Sequence, residues 1–216
     1  MTGRDPGSSA EPSVVGIFVG GASRRMGGVP KGLLEDREAG EPLVVVLVAR
    51  ARAAGLAPVL VGAAEAYAHV VPDVARIADA PAGVGPLGGL RALLLHAGRR
   101  RALAIACDMP HVTAELLARL ENADSTAAIV AARSGPTRWE PLFARYDPTR
   151  VLAELDRSLA AGTRSFQRLF EQLAVAELPL TPAEQRALVD WDTPEDRSAD
   201  LTDAAGVAAR SRPPRE

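Results

Sequence analysis

Two adjacent glycines, Gly20 and Gly21, are followed by Arg24 and Arg25, two more glycines, and then Lys31. Glycines permit positive φ and let a ligand approach the backbone closely. Successive backbone N–H groups in such a loop can form a concave anion site. Arginine adds a planar fork of donors and lysine a point charge. The chemistry this set suits is polyphosphate binding. Two familiar phosphate loops are excluded, because neither Gly-x-x-x-x-Gly-Lys-Ser/Thr nor Gly-x-Gly-x-x-Gly occurs here. From spacing alone, a solvated loop between a strand and a helix is the bland alternative.

The acids complement this loop. Asp79, Asp108 and Asp192 each lie just beyond a short apolar run, as Gly20 does. In an open parallel sheet, ligands bind beyond the carboxyl ends of the strands, so four strand ends would set a glycine loop and three carboxylates along one edge. Asp108 follows Ala102 to Ala106 and Cys107 and precedes Met109-Pro110. Mg²⁺ takes one or two carboxylates together with waters and substrate phosphates, and Asp108 suits that task. It equally suits a turn or helix cap ahead of Pro110. Asp192 reads either as a second ligand or as an aid to the Thr193 cap.

These residues need elements to hold them. Short β-type runs alternate with helix-type segments, which predicts a three-layer, Rossmann-like α/β fold with a mostly parallel sheet and helices on both faces. Strands are expected at 14–19, 58–61, 75–78, 102–106, 127–132 and 140–146, with an edge strand at 175–178. Helices are expected at 42–54, 87–97, 113–120, 148–160 and 165–171, several of them ending at or near a glycine. A last apolar run, 187–189, leads to Asp190-Trp191-Asp192-Thr193-Pro194-Glu195.

The chain has 216 residues, enough for one domain with a sizeable core. We place that domain at 13–202, between disordered tails at 1–12 and 203–216 that are polar or rich in Pro and Arg. A net charge of −2 gives no electrostatic case for nucleic acid or a membrane surface. Cys107 is the single cysteine, so no internal disulfide forms. No apolar run approaches the roughly 20 residues that span a bilayer, and the N-terminus lacks the apolar segment of a secretory signal. A cytoplasmic protein is expected.

The motif Phe18-Val19-Gly20-Gly21, Arg25-Met26-Gly27 and Lys31 resembles the signature of the molybdenum cofactor guanylyltransferases, which runs Leu-Ala-Gly-Gly, Arg-Met-Gly, Lys. Three further segments match in the family's order: Asp79 with Gly85-Pro86-Leu87, Cys107-Asp108-Met109-Pro110, and Asp190-x-Asp192-Thr193-Pro194-Glu195. The resemblance covers about 14–201 and implies a fold of the nucleotide-diphospho-sugar transferase type. It implies Mg²⁺-dependent transfer of GMP from GTP to the phosphate of molybdopterin, with release of pyrophosphate, and transient contact with cofactor biosynthesis or acceptor proteins. By resemblance, Arg25, Lys31 and Asp108 act in catalysis. Phe18, Val19, Gly20, Gly21, Lys31, Gly62, Asp79, Gly85, Pro86, Leu87 and Asp108 contact the nucleotide, and Asp108 and Asp192 hold Mg²⁺. The chain departs from the pattern at Gly62, where relatives carry asparagine, at Pro30 in place of aspartate, and at Asp190 and Asp192, where relatives carry asparagines. Arg138 and Arg164 resemble segments near the acceptor. A CTP-using relative and a nucleotide-binding protein without catalysis are the competing readings.

Overall fold

The computed structural model describes residues 11–20, 30–36, 39–135 and 137–189. The first element, β1 (Val14–Phe18), is buried at every position. A two-stranded ribbon of β2 (Glu35–Asp36) and β3 (Glu41–Pro42) leads into α1 (Leu43–Ala53). Next come β4 (Ala57–Val61), β5 (Ala75–Ile77), α2 (Pro86–Ala97), β6 (Ala102–Ala106) and α3 (Ala114–Glu121). The remainder is β7 (Ile129–Arg133), β8 (Trp139–Tyr146), α4 (Pro148–Ala160), α5 (Phe166–Glu171), β9 (Val175–Glu177) and α6 (Pro182–Ala187).

Seven strands form one sheet in the order β5-β4-β1-β6-β8-β7-β9. All its pairings are parallel except those of β8, which runs against both β6 and β7. The expected three-layer α/β architecture is therefore present, with one reversed strand inside the sheet. The two-residue strand period sorts the core. Val15 and Ile17 face α1 and α3, whereas Val14 and Phe18 face α2, α4 and α5. Helix α2 comes closest to β1 at Gly16, where a Cβ would stand 2.7 Å from a Leu93 methyl.

Local chemistry sets the helix starts. Thr113 caps α3, accepting from Leu116 N–H at 3.2 Å, and Asp147 caps α4, accepting from Thr149 N–H at 2.9 Å. Thr181 and Glu184 form a reciprocal capping box that opens α6. This corrects the reading of 187–189 as a strand-like run: Ala187 ends α6 and Leu188 is its C-cap. At the sheet edge opposite the predicted site, arginines satisfy helix C-terminal carbonyls. Buried Arg145 donates to Glu121 O at 2.5 Å and Ala123 O at 2.9 Å, and Arg100 to Ala97 O at 3.2 Å. Most of both predicted tails, 1–10 and 203–216, lies outside the described residues. Among the described residues, no helix is long and apolar enough to cross a membrane.

Candidate active site

Sheet order fixes what meets along one edge. Reading across it, Asp79 lies just past β5, Gly62 just past β4, Val19 and Gly20 just past β1, and Asp108 just past β6. Because β8 is reversed, it brings its beginning to this edge, at Trp139 and Glu140. The ends of β7 and β9 then add Arg133 and Glu177.

On the β5–β6 side, backbones crowd together. Gly62 has φ +104°, and a Cβ there would lie 3.1 Å from both Cα and N of Gly20 and 3.8 Å from an Asp79 carboxylate oxygen. The glycine at this position thus lets the ends of β1 and β4 touch backbone to backbone. The Val19 N–H is engaged by Val61 O at 3.0 Å and the Phe18 carbonyl by Cys107 N–H at 3.1 Å. Phe18 itself is buried against α2, where a Cβ on Gly89 would meet its ring at 2.8 Å. Gly85, with φ +76°, caps α2; Pro86 takes the first helical position, and the Leu87 side chain is fully buried in the core. Gly88 is forced by close approach, since its Cβ would stand 2.4 Å from Pro81 O. Ala80 N–H donates to Gly88 O at 3.0 Å and ties the Asp79 loop to α2. Burial pushes the Asp79 carboxyl above its ordinary range.

At the centre, Lys31 Nζ donates to Asp108 Oδ2 at 2.6 Å, with both side chains mostly buried. Lys31 starts a single 3₁₀ turn, and the next residue, Gly32, packs on Tyr67 so tightly that a Cβ would meet its ring at 2.9 Å. The Tyr67 ring is buried, and among the described residues its hydroxyl has no hydrogen-bond partner. Burial raises that hydroxyl far above its ordinary pKa. Burial likewise pushes the Cys107 thiol up to about 12, which leaves it an inert core group. Tyr67, Gly32 and Cys107 thus floor the Lys31–Asp108 pair.

That pair also tests the fit of a metal. One carboxylate at a strand end, already holding a cation on its oxygen, matches the sparse protein contribution Mg²⁺ needs when substrate phosphates complete its shell. Among the described residues, no cluster of three or more His, Cys, Asp or Glu could hold an ion without such help.

On the β8–β9 side, the edge opens into a cavity of 720 Å³ lined by Arg133, Glu140, Glu177, Gln185 and Val189, among others. The Arg133 guanidinium lies 3.8 Å over the Trp139 ring and 3.2 Å from Glu177. Gln167 of α5 clamps the start of β8, accepting from Trp139 N–H at 3.1 Å and donating to Trp139 O at 2.9 Å. Arg138 is exposed, and its carbonyl accepts from Ser134 N–H at 2.9 Å in the turn before β8. Arg164 reaches the Asp79 loop, donating to Gly83 O at 3.4 Å.

The structure therefore brings together Phe18, Val19, Gly20, Lys31, Gly62, Asp79 and Asp108, with the helix start at Gly85, Pro86 and Leu87. Arg25, Gly21 and Asp192, and with them Arg24 and Asp190, lie outside the described residues. Sequence reasoning placed Arg138, beside Trp139-Glu140-Pro141-Leu142, near the acceptor by resemblance, but it gave Glu140 no role and did not reveal the cavity beside it. The signal was the reversal of β8, which residue types do not carry.

The MobA-like NTP transferase domain family matches residues 15–177. The chain is 38% identical over 194 residues to the molybdenum cofactor guanylyltransferase of Pseudomonas fluorescens, covering 87% of this chain and 93% of that protein. It is 35% identical over 205 residues to that of Ectopseudomonas mendocina, covering 93% and 95%. The crystal structure of molybdopterin-guanine dinucleotide biosynthesis protein A from Archaeoglobus fulgidus superposes with a TM-score of 0.71 at 26% identity, covering 88% of this chain and 98% of that one. With a glycine crossing at β1 and β4 beside a lysine–aspartate pair at β6, and with that match across most of its length, the chain belongs to the MobA-like NTP transferase family and has its nucleotide-diphospho-sugar transferase fold.

Proposed function

We propose that this protein is a guanylyltransferase that moves GMP from GTP to the terminal phosphate of a molybdopterin-type acceptor. The observation that carries this is the 2.6 Å Lys31–Asp108 pair beside the Gly20–Gly62 crossing. It joins a phosphate-binding cation, a metal-binding carboxylate and exposed backbone at one point. The relatives' names supply the donor and acceptor classes.

An acceptor phosphate oxygen bonds to the α-phosphorus of GTP as the bond from that phosphorus to the β-bridging oxygen breaks, and pyrophosphate leaves with the electron pair. Positioning and charge neutralisation carry such a reaction. Gly20 and Gly21 cradle phosphate oxygens, and Lys31 and Arg25 meet the charge that grows on the leaving pyrophosphate. Asp108, with Asp192, would hold Mg²⁺, which would supply neutralisation of the phosphate charge. The attacking oxygen is already ionised, so no general base is required. Asp79 pairs with the N1–H and 2-amino group of guanine, an edge that adenine and cytosine lack.

Calorimetry with GTP, CTP, ATP and UTP in Mg²⁺, run beside an assay for acceptor-dependent pyrophosphate release, tests the proposal. GTP should bind tightest and release should need the acceptor. Equal or tighter binding of CTP would overturn the guanine assignment. GTP binding without acceptor-dependent release would leave a binding protein.

A further inference from the structure

The cavity between β7, β8 and β9 holds a carboxylate that nothing above employs. Glu140 is the second residue of β8. The register of β8 on β6 runs from Ala102↔Tyr146 to Ile105↔Phe143. The start of β8 therefore lies at the edge where β6 ends, and Glu140 comes near enough to Asp108 to feel its charge. Burial is the largest cause, and it raises the Glu140 carboxyl above its ordinary range together with the Asp108 charge, against the Leu142 N–H and the Arg138 cation, which lower it. Its one hydrogen bond among the described residues is a long one, accepted from Leu142 N–H at 3.4 Å. It makes no ion pair there, although it lines the cavity with Arg133 and Glu177. Those two are committed to each other, and Arg133 also stacks on Trp139.

A half-buried carboxylate with no ion pair among the described residues, and only the exposed Arg138 to offset its burial, costs the fold energy, and its place at the mouth of a cavity suits a ligand that would donate to it. An anion is the wrong partner, because Glu140, Glu177 and Asp108 would repel it. A neutral ring that offers adjacent N–H donors is the right one, since a carboxylate accepts two such bonds side by side. The cavity volume is that of a small-molecule pocket.

The opposite end of the edge repeats this arrangement. Asp79 is also raised by burial and makes no ion pair among the described residues. There the expected ligand is the 2-amino-4-oxopyrimidine edge of guanine. A pterin carries the same edge, a ring N–H beside an amino group. Two carboxylates thus flank Asp108, one on β5's side and one on β8.

We infer that Glu140 determines acceptor specificity by pairing with the 2-amino and ring N–H donors of a pterin seated in the β7–β9 cavity. This rests on the guanylyltransferase reading for its acceptor class. It adds the residue, the edge recognised and the direction in which the acceptor lies, with its ring toward β8 and its phosphate toward Lys31.

The test titrates pterin (2-amino-4-oxopteridine) by its own fluorescence into wild type, Glu140→Gln and Glu140→Asp, with lumazine, the 2,4-dioxo analogue, as the comparison probe. GTP binding in Mg²⁺ and thermal midpoints are measured on the same samples. Loss of a bond to a charged group predicts pterin binding weaker by about tenfold or more in Glu140→Gln. Glu140→Asp should retain part of the affinity. Wild type should prefer pterin to lumazine, GTP affinity should hold within about twofold, and the midpoint of Glu140→Gln should not fall. Pterin binding that is absent in wild type, equal in Glu140→Gln, or no better than that of lumazine overturns the inference. Failure of wild type to bind GTP instead overturns the reading beneath it, and the two failures are separately visible.

Discussion

The two ends of the sheet edge are built in opposite ways. From β5 to β6 the strands are parallel, and the site is made of backbone: Gly62, Gly85, Gly88 and Gly89 sit where side chains would collide or strain, and Gly20 meets Gly62 backbone to backbone. From β8 to β9 the edge is made of side chains, with Arg133, Glu140, Glu177 and Gln185 around an open cavity. Backbone suits a ligand part common to all triphosphates, because peptide geometry changes little with sequence. Side chains suit the part that differs among acceptors. The Lys31–Asp108 pair stands where the two constructions meet.

The largest expected effect removes that junction. Asp108→Asn keeps the shape and loses the charge, and should cut turnover about 10³-fold across a Mg²⁺ titration, with part of the nucleotide binding retained. Lys31→Ala should cost about 10²-fold in turnover and weaken triphosphate binding while the thermal midpoint holds. Normal kinetics in either variant would make the pair a structural one.

Next comes the backbone side. Gly88→Ala drives a methyl toward Pro81 O, with 2.4 Å between Cβ and oxygen. It should destabilise by about 2 kcal/mol, which lowers the midpoint by about 4–8 °C in a domain of this size, and should weaken GTP. The side-chain end should tolerate more. Arg133→Met loses the stack on Trp139 and the Glu177 pair, both partly exposed, for about 1 kcal/mol. Its GTP affinity should be unchanged. A GTP defect as large as that of Gly88→Ala would break the division between the two ends.

How far this division was legible depended on where the signal lay. β6 with Asp108 could be read directly, because a five-residue apolar run too short for a helix and stopped by Asp and Pro reads as a buried strand with the acid at its rim. The start of α2 was read one residue late, at 87, although the proline at the first helical position was the signal for it. Glu140 could not be read this way, since the rule that ligands lie beyond strand C-termini points away from the first residues of a strand, and only tertiary pairing shows that β8 runs backwards. Helix α6 was missed because Ala187-Leu188-Val189 reads as an apolar run, whereas the Thr181–Glu184 capping box just upstream held the better signal.

That box carries the smallest prediction. The Arg119 hydrogen bond, with those from Thr181, holds Glu184 down to about 2, from an ordinary value of 4.5. Between these values the unfolded chain binds the extra proton, so stability present above about 4.5 is lost as pH falls toward 2. Glu184→Gln should flatten that part of the acid unfolding profile and leave ligand affinities on both sides of the edge unchanged.

The Lys31–Asp108 contact has a thermodynamic consequence. An oxygen that holds an ammonium at 2.6 Å cannot hold a metal ion at the same time, so on the proposed function Lys31 would compete with the metal for Asp108. A triphosphate that draws Lys31 away frees the carboxylate, and linkage then requires that metal and nucleotide each raise the other's affinity by the same factor. On the proposed function the pair would then work as an interlock, turning bare cation away and admitting cation and nucleotide together. Lys31→Met should accordingly take up Mn²⁺ more tightly than wild type when no nucleotide is present, as read by the loss of the free-ion resonance signal, even as it loses its grip on GTP.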